Sequence, residues 1–131
     1  MNTRANAWVH QAHEDLSFAQ LAGDNGFQAA ACFHAYQAAE KALIGTLLEL
    51  GLEPPFTHVL NTLVSQLQDA GINTQNLERL ALRQLSRMAV QSRYPVDATP
   101  ASELFDQEDA DQALTTAKQV LAIIQALDQQ G

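Results

Sequence analysis

Residues 27–50 read FQAAACFHAYQAAEKALIGTLLEL, and this stretch decides the fold. Ala29, Phe33, Tyr36, Leu43, Leu47 and Leu50 recur close to the helical period. No proline interrupts them. Gly51 follows as a helix stop, and Pro54-Pro55 blocks continuation. The spacing therefore predicts one long helix from Phe27 to Leu50. The alanines between Ala29 and Ala42 carry little side chain, so a neighbouring helix can come close. The chain on either side has to supply that neighbour.

Upstream, Trp8, Ala12, Leu16 and Ala19 form one apolar stripe and predict a helix from Arg4 to Leu21. Gly23-Asp24-Asn25-Gly26 joins the two as a turn of residues that tolerate positive φ. Downstream, Thr57 is a candidate N-cap for a third helix, His58 to Ala70, with Val59, Leu60, Leu63, Val64 and Leu67 inward. Gly71 ends it. A fourth helix is expected over Gln75 to Val90, capped by Asn73 or Thr74, with Leu77, Leu80, Ala81, Leu85 and Met88 inward. Ser92 to Phe105 holds Pro95 and Pro100 and no periodicity, so it reads as a structured loop, and loops of that length often carry function. Asp106 caps a fifth helix, Gln107 to Asp128, whose first turn carries Glu108, Asp109 and Asp111 at the positive end of the dipole. The expected architecture is all-α: one domain over residues 1–131, an up-and-down bundle of about five helices.

Composition narrows the function classes. Of 131 residues, 7 are Lys or Arg and 15 are Asp or Glu, a formal net charge of −8. Such a surface repels nucleic-acid backbones at long range, which argues against broad nucleic-acid binding while leaving room for a local basic pocket. A lone cysteine, Cys32, fits a reducing cytosol, and the first residues do not read as a signal peptide. No apolar run approaches the length of a membrane span. CxxC pairs, Gly-rich phosphate loops and HExxH are absent from the sequence.

Four groups of residues could carry chemistry. His34, Gln37 and Lys41 lie three and four apart on the long helix and share a face, where they could grip a phosphate or a base. They could equally be a solvated polar face opposite the core. Thr57-His58 at a helix start could offer N–H groups to an anion, or be a cap followed by an exposed histidine. Arg93-Tyr94-Pro95 offers a bidentate guanidinium and a stackable ring, or a structural clamp to a nearby acid such as Asp97 or Glu103. His10 and His13 stand three apart on the first helix, but a third ligand is not evident, so no metal site is expected.

In order, these segments resemble the HEPN family. Trp8 with Glu14-Asp15-Leu16 is similar to its opening helix, and Ala31 to Leu43 (ACFHAYQAAEKAL) to its long second helix. Thr57-His58-Val59-Leu60 resembles the entry to its third helix, Ser92-Arg93-Tyr94-Pro95 its serine–arginine–tyrosine–proline corner, and Glu108-Asp109-Ala110 the start of its last helix. The resemblance runs from about Trp8 to Leu127. It implies a helical bundle that forms homodimers and a minimal nucleotidyltransferase as partner, in a toxin–antitoxin type of module. Other members are ribonucleases that use an Arg, four to six residues, then a His. Here no His follows Arg93, and none occurs anywhere beyond His58. Ile44 stands where relatives often carry a second lysine.

The expectation is a cytoplasmic, non-catalytic HEPN-like partner subunit. It would bind a nucleotide, if any cofactor, near His34, Gln37, Lys41, His58, Arg93 and Tyr94. The alternative is a ribonuclease with an altered site, in which His34 or His58 replaces the missing histidine.

Overall fold

The structure, a computed structural model, describes residues 1–130. It contains helices α1 (Thr3–Asp24), α2 (Gln28–Glu49), α3 (Leu60–Asp69), α4 (Gln75–Glu78), α5 (Leu82–Gln91) and α6 (Gln107–Gln130), with a 3₁₀ turn at Ala101–Glu103. Among the described residues there is no strand; Val96 and Thr99 make one isolated bridge. The all-helical bundle expected from periodicity is what forms.

α2 is the centre, and α1, α3, α5 and α6 all pack on it. Its most extensive partner is α1, and the reason is side-chain size. Ala5, Ala12, Ala19 and Ala22 of α1 are buried, as are Ala31, Ala35, Ala38 and Ala42 of α2. Gly45 marks the closest approach: a Cβ there would meet Val9 Cγ2 at 2.7 Å and the Ala5 carbonyl oxygen at 3.1 Å. Leu43, Leu47, Leu60, Leu63, Leu67, Leu77, Leu82, Leu85, Val120 and Ile124 fill the core around this alanine contact.

The first helix runs on to Asp24, past the expected Leu21, and two further differences from the sequence reading have a packing reason. The helix expected over Gln75 to Val90 is broken after Glu78. Leu77 and Leu82 are both buried, and five residues apart on an unbroken helix they would point about 140° from each other. A tight turn, with Leu82 N–H bonded to Leu80 O at 2.8 Å, lets both reach the core. The third helix begins at Leu60 rather than His58. Thr57 Oγ1 accepts from Val59 N–H at 3.0 Å, a local turn and not a helix cap. The first free N–H of α3, on Leu60, is bonded instead by Ser86 Oγ of α5 at 2.9 Å. His58 therefore sits ahead of the helix.

The start of α6 follows expectation. Asp106 Oδ1 accepts from Asp109 N–H and Asp109 Oδ2 from Asp106 N–H, both at 2.9 Å, a reciprocal capping box. The loop before it is ordered by a turn in which Val96 and Thr99 exchange backbone bonds of 2.8 and 2.9 Å, with Asp97 at φ 52°.

Candidate functional site

α2 is covered on every side except one. Along that side Phe33, His34, Gln37, Glu40, Lys41 and Ile44 are half-buried, a stripe of mixed chemistry recurring every three or four residues. α1 forms one bank of the stripe. The entry to α3 and the end of α5 form the other.

On the α3–α5 bank, Tyr36 is fully buried yet polar at its tip. Its hydroxyl contacts Glu40 Oε2 and lies 2.9 Å from His58 Nδ1. Burial, and then the bond to Glu40, push the phenol pKa upward, so the hydroxyl keeps its proton. Proton bookkeeping then fixes the histidine. A phenol has one hydrogen, and Glu40 as a carboxylate can only accept, so that hydrogen goes to Glu40. His58 Nδ1 must be the donor to Tyr36 Oη. Its second nitrogen, Nε2, makes no hydrogen bond among the described residues, on a side chain 61% exposed.

Arg93 stands beside this trio, where its charge opposes the upward shift of Tyr36. Its Nε donates to Ala89 O at 2.7 Å, which anchors the guanidinium to the end of α5. The guanidinium carbon lies 4.8 Å from the centre of the Phe33 ring and 5.2 Å from that of Tyr94. None of the ion pairs among the described residues involves Arg93. The clamp to Asp97 or Glu103 does not form. The result is a cation anchored through Nε and set against two rings, on an exposed residue whose terminal nitrogens make no ion pair among the described residues.

The α1 bank is built differently. Lys41 Nζ meets Asp15 Oδ2 at 2.6 Å, with side chains 23% and 13% exposed. Its charge is matched within the fold. His34 packs edge-on against Phe18 and Phe33, with ring centres 4.7 and 5.2 Å away. Burial depresses its pKa first; Asp15 opposes that and Lys41 adds to it. His34 is thus held toward its neutral form.

Of the six residues singled out from sequence, His58, Arg93 and Tyr94 come together around Phe33 and Tyr36. His34 joins them only through Phe33. Gln37 lies on the stripe between the banks. Lys41 lies on the other bank, eight residues along α2 from Phe33, or about 12 Å of rise. Sequence reasoning missed Tyr36, Glu40, Asp15 and Phe18. Tyr36 and Glu40 were legible as a hydrogen-bonding pair four apart, whereas Asp15 and Phe18 come from another helix and depend on how α1 docks.

Cys32 is fully buried, and burial, with Asp109 and Asp106 adding to it, pushes its pKa up to about 12. Among the described residues no three His, Cys, Asp or Glu side chains gather in a way that could hold a metal ion. No described helix is long and apolar enough to cross a membrane.

The sequence profile of the HEPN domain matches residues 5–127. The chain belongs to the HEPN family. Solved structures agree. TT1696 from Thermus thermophilus is 33% identical with a TM-score of 0.84, over 95% of this chain and 98% of that one. ST0689, described as an archaeal HEPN homologue, is 27% identical with a TM-score of 0.71, over 94% and 96%. A HEPN domain protein from Thermotoga maritima, at 18% identity and a TM-score of 0.68 over 92% and 96%, shares the fold. No curated protein matches the chain. Within this HEPN bundle two histidines border the surroundings of Arg93, His34 through Phe33 and His58 through Tyr36, and neither follows Arg93 in sequence.

Proposed function

We propose that this HEPN protein is a non-catalytic partner subunit of a minimal nucleotidyltransferase-like protein, in a toxin–antitoxin type of module. It acts as a cytoplasmic homodimer and takes a nucleotide phosphate on the stripe of α2. One observation carries the ligand: Arg93 is anchored through Nε, stacked on Phe33, and free at its terminal nitrogens. A guanidinium held this way loses little freedom on meeting a phosphate, and it offers two parallel donors. Tyr94, half-exposed beside it, supplies a face for a base, and His58 Nε2 supplies a further polar contact. Gln37 edges the site. Lys41 and His34 contribute to it as structure, since one is paired and the other held neutral.

Titration calorimetry with ATP, GTP and UTP tests this. Arg93→Ala should weaken binding about tenfold or more, the value of a charge-assisted bond pair. Lys41→Ala should leave the affinity close to wild type while lowering stability. No binding by any of the three nucleotides, together with an Arg93→Ala variant that engages the partner protein normally, would end the proposal.

The ribonuclease reading has its own support in the Glu40–Tyr36–His58 chain. It fixes a histidine by Nδ1 and leaves Nε2 without a bond, on the same side of α2 as the Arg93 whose charge acts on Tyr36, an arrangement suited to proton transfer and charge stabilisation. Incubating the purified chain with total RNA separates the readings. Cleavage lost on His58→Ala but retained on His34→Phe would favour the enzyme.

A further inference from the structure

The chain's charge is segregated. Residues 79–96 contain Arg79, Arg83, Arg87 and Arg93 and no acid, while all 15 acidic residues and the other three basic ones lie elsewhere. Arg83 and Arg87 are exposed on α5, and Arg79 is exposed just ahead of it. None of these three takes part in an ion pair among the described residues. Like charges four apart on a helix repel, so this row costs stability wherever nothing neutralises it.

The complement lies on the neighbouring helix. Between Arg93 and Lys118 there is no basic residue, and Glu103, Asp106, Glu108, Asp109 and Asp111 follow one another closely. Glu108 and Asp111 are exposed on the first turns of α6. They line one side of an open groove of about 420 Å³ between α5 and α6, with Leu85 and Met88 also lining it. Gln84 and Gln112 bond across it at 3.0 Å. Two unpaired rows of opposite sign thus run on adjacent helices of one molecule.

We infer that the α5–α6 face is the seam between two copies of this chain, with Arg83 and Arg87 of each set against the partner subunit's Glu108 and the partner subunit's Asp111. A two-fold contact requires a surface complementary to itself, and a basic row beside an acidic row satisfies that when a copy is turned end over end. Val90, 55% exposed on α5, and the apolar lining of the groove supply the part of the seam that burial favours. The second copy fits better than a nucleic acid. A polyanion long enough to use the arginines would run on over the exposed acids at the start of α6, and would be repelled there. The inference rests on the homodimer reading above and assigns its face.

Sedimentation velocity on paired charge reversals tests it. One variant carries Arg83→Glu and Arg87→Glu; the other carries Glu108→Arg and Asp111→Arg. All four side chains are exposed, and circular dichroism checks that helix content is retained. Each variant alone should dimerise about tenfold or more weakly than wild type, because like charges then face each other. An equimolar mixture should recover the dimer. In the mixed pair the reversed α5 row of one chain meets the reversed α6 row of the other, and the two unaltered rows meet as in wild type. A wild-type chain that is monomeric overturns the homodimer reading and the seam with it. A wild-type dimer that both variants reproduce overturns the seam alone. If the variants stay dimeric and the Arg83→Glu, Arg87→Glu chain loses retention on single-stranded polyuridine that wild type shows, the row serves RNA and the seam is wrong.

Discussion

The two banks of α2 hold a cation each, and the fold treats them in opposite ways. Lys41 is drawn down onto Asp15 and partly covered, while Arg93 is anchored through Nε and left with free donors. Their histidines differ in the same sense. His34 is wedged between Phe18 and Phe33 and held toward neutrality; His58 is tied at Nδ1 and open at Nε2. On the α1 bank polar groups are consumed in packing two alanine-rich helices together. On the other bank they are positioned without being matched. A charged residue on a half-buried helix face says little by itself about ligands; what matters is whether the next helix brings a partner for it.

The largest effect expected from this contrast is on stability. Asp15→Ala should leave the Lys41 ammonium partly buried and unmatched, costing about 2 kcal/mol in urea unfolding, less than a fully buried pair because both groups keep some solvent. Replacing both together, Asp15→Leu with Lys41→Met, should recover much of that. Arg93→Ala should cost under about 1 kcal/mol, since it loses stacking and one bond at an exposed position. Equal losses at the two cations would erase the distinction between the banks. Next in size is Gly45→Ala. Alanine gains about 1 kcal/mol in helix propensity over glycine, but the new Cβ sits 2.7 Å from Val9 Cγ2 and 3.1 Å from a backbone oxygen. The helices must move apart, and overpacking of that kind costs about 1–3 kcal/mol. The net is a loss of about 1 kcal/mol; a gain would mean that the α1–α2 contact yields more readily than an alanine-to-alanine face should.

The helices themselves were legible from apolar spacing, because burying one face of each is what stabilises them. The start of α6 was legible too, since Asp106 caps locally. Legibility failed where a tertiary partner replaced a local one. Thr57 has the chemistry of a cap, but Ser86 of α5 reaches the α3 terminus instead. Leu77 and Leu82 fit a continuous helical reading only until both must enter the same core. The candidate site follows the same rule. His34, Gln37 and Lys41 share a helix face as spacing demands, yet spacing could not say that Asp15 would arrive at Lys41 or Tyr36 would turn His58 around.

The smallest expected effect tests the α1 bank through pH. Burial lowers the His34 pKa in the folded chain below its ordinary value of 6.5. Between that lowered value and 6.5 the unfolded state binds more protons than the folded one, so stability rises with pH across that window. The contribution is fully present above about pH 7 and declines on acidification. His34→Phe keeps the ring packing against Phe18 and removes the titrating group. Urea unfolding followed from neutral toward mildly acidic pH should therefore show a shallower decline in the variant than in wild type. Asp15 favours the charged imidazole, so Asp15→Asn in a Lys41→Met background should steepen the slope relative to Lys41→Met alone. A His34→Phe variant that tracks wild type at every pH would mean the imidazole is solvated, and that the α1 bank is as open as the one holding Arg93.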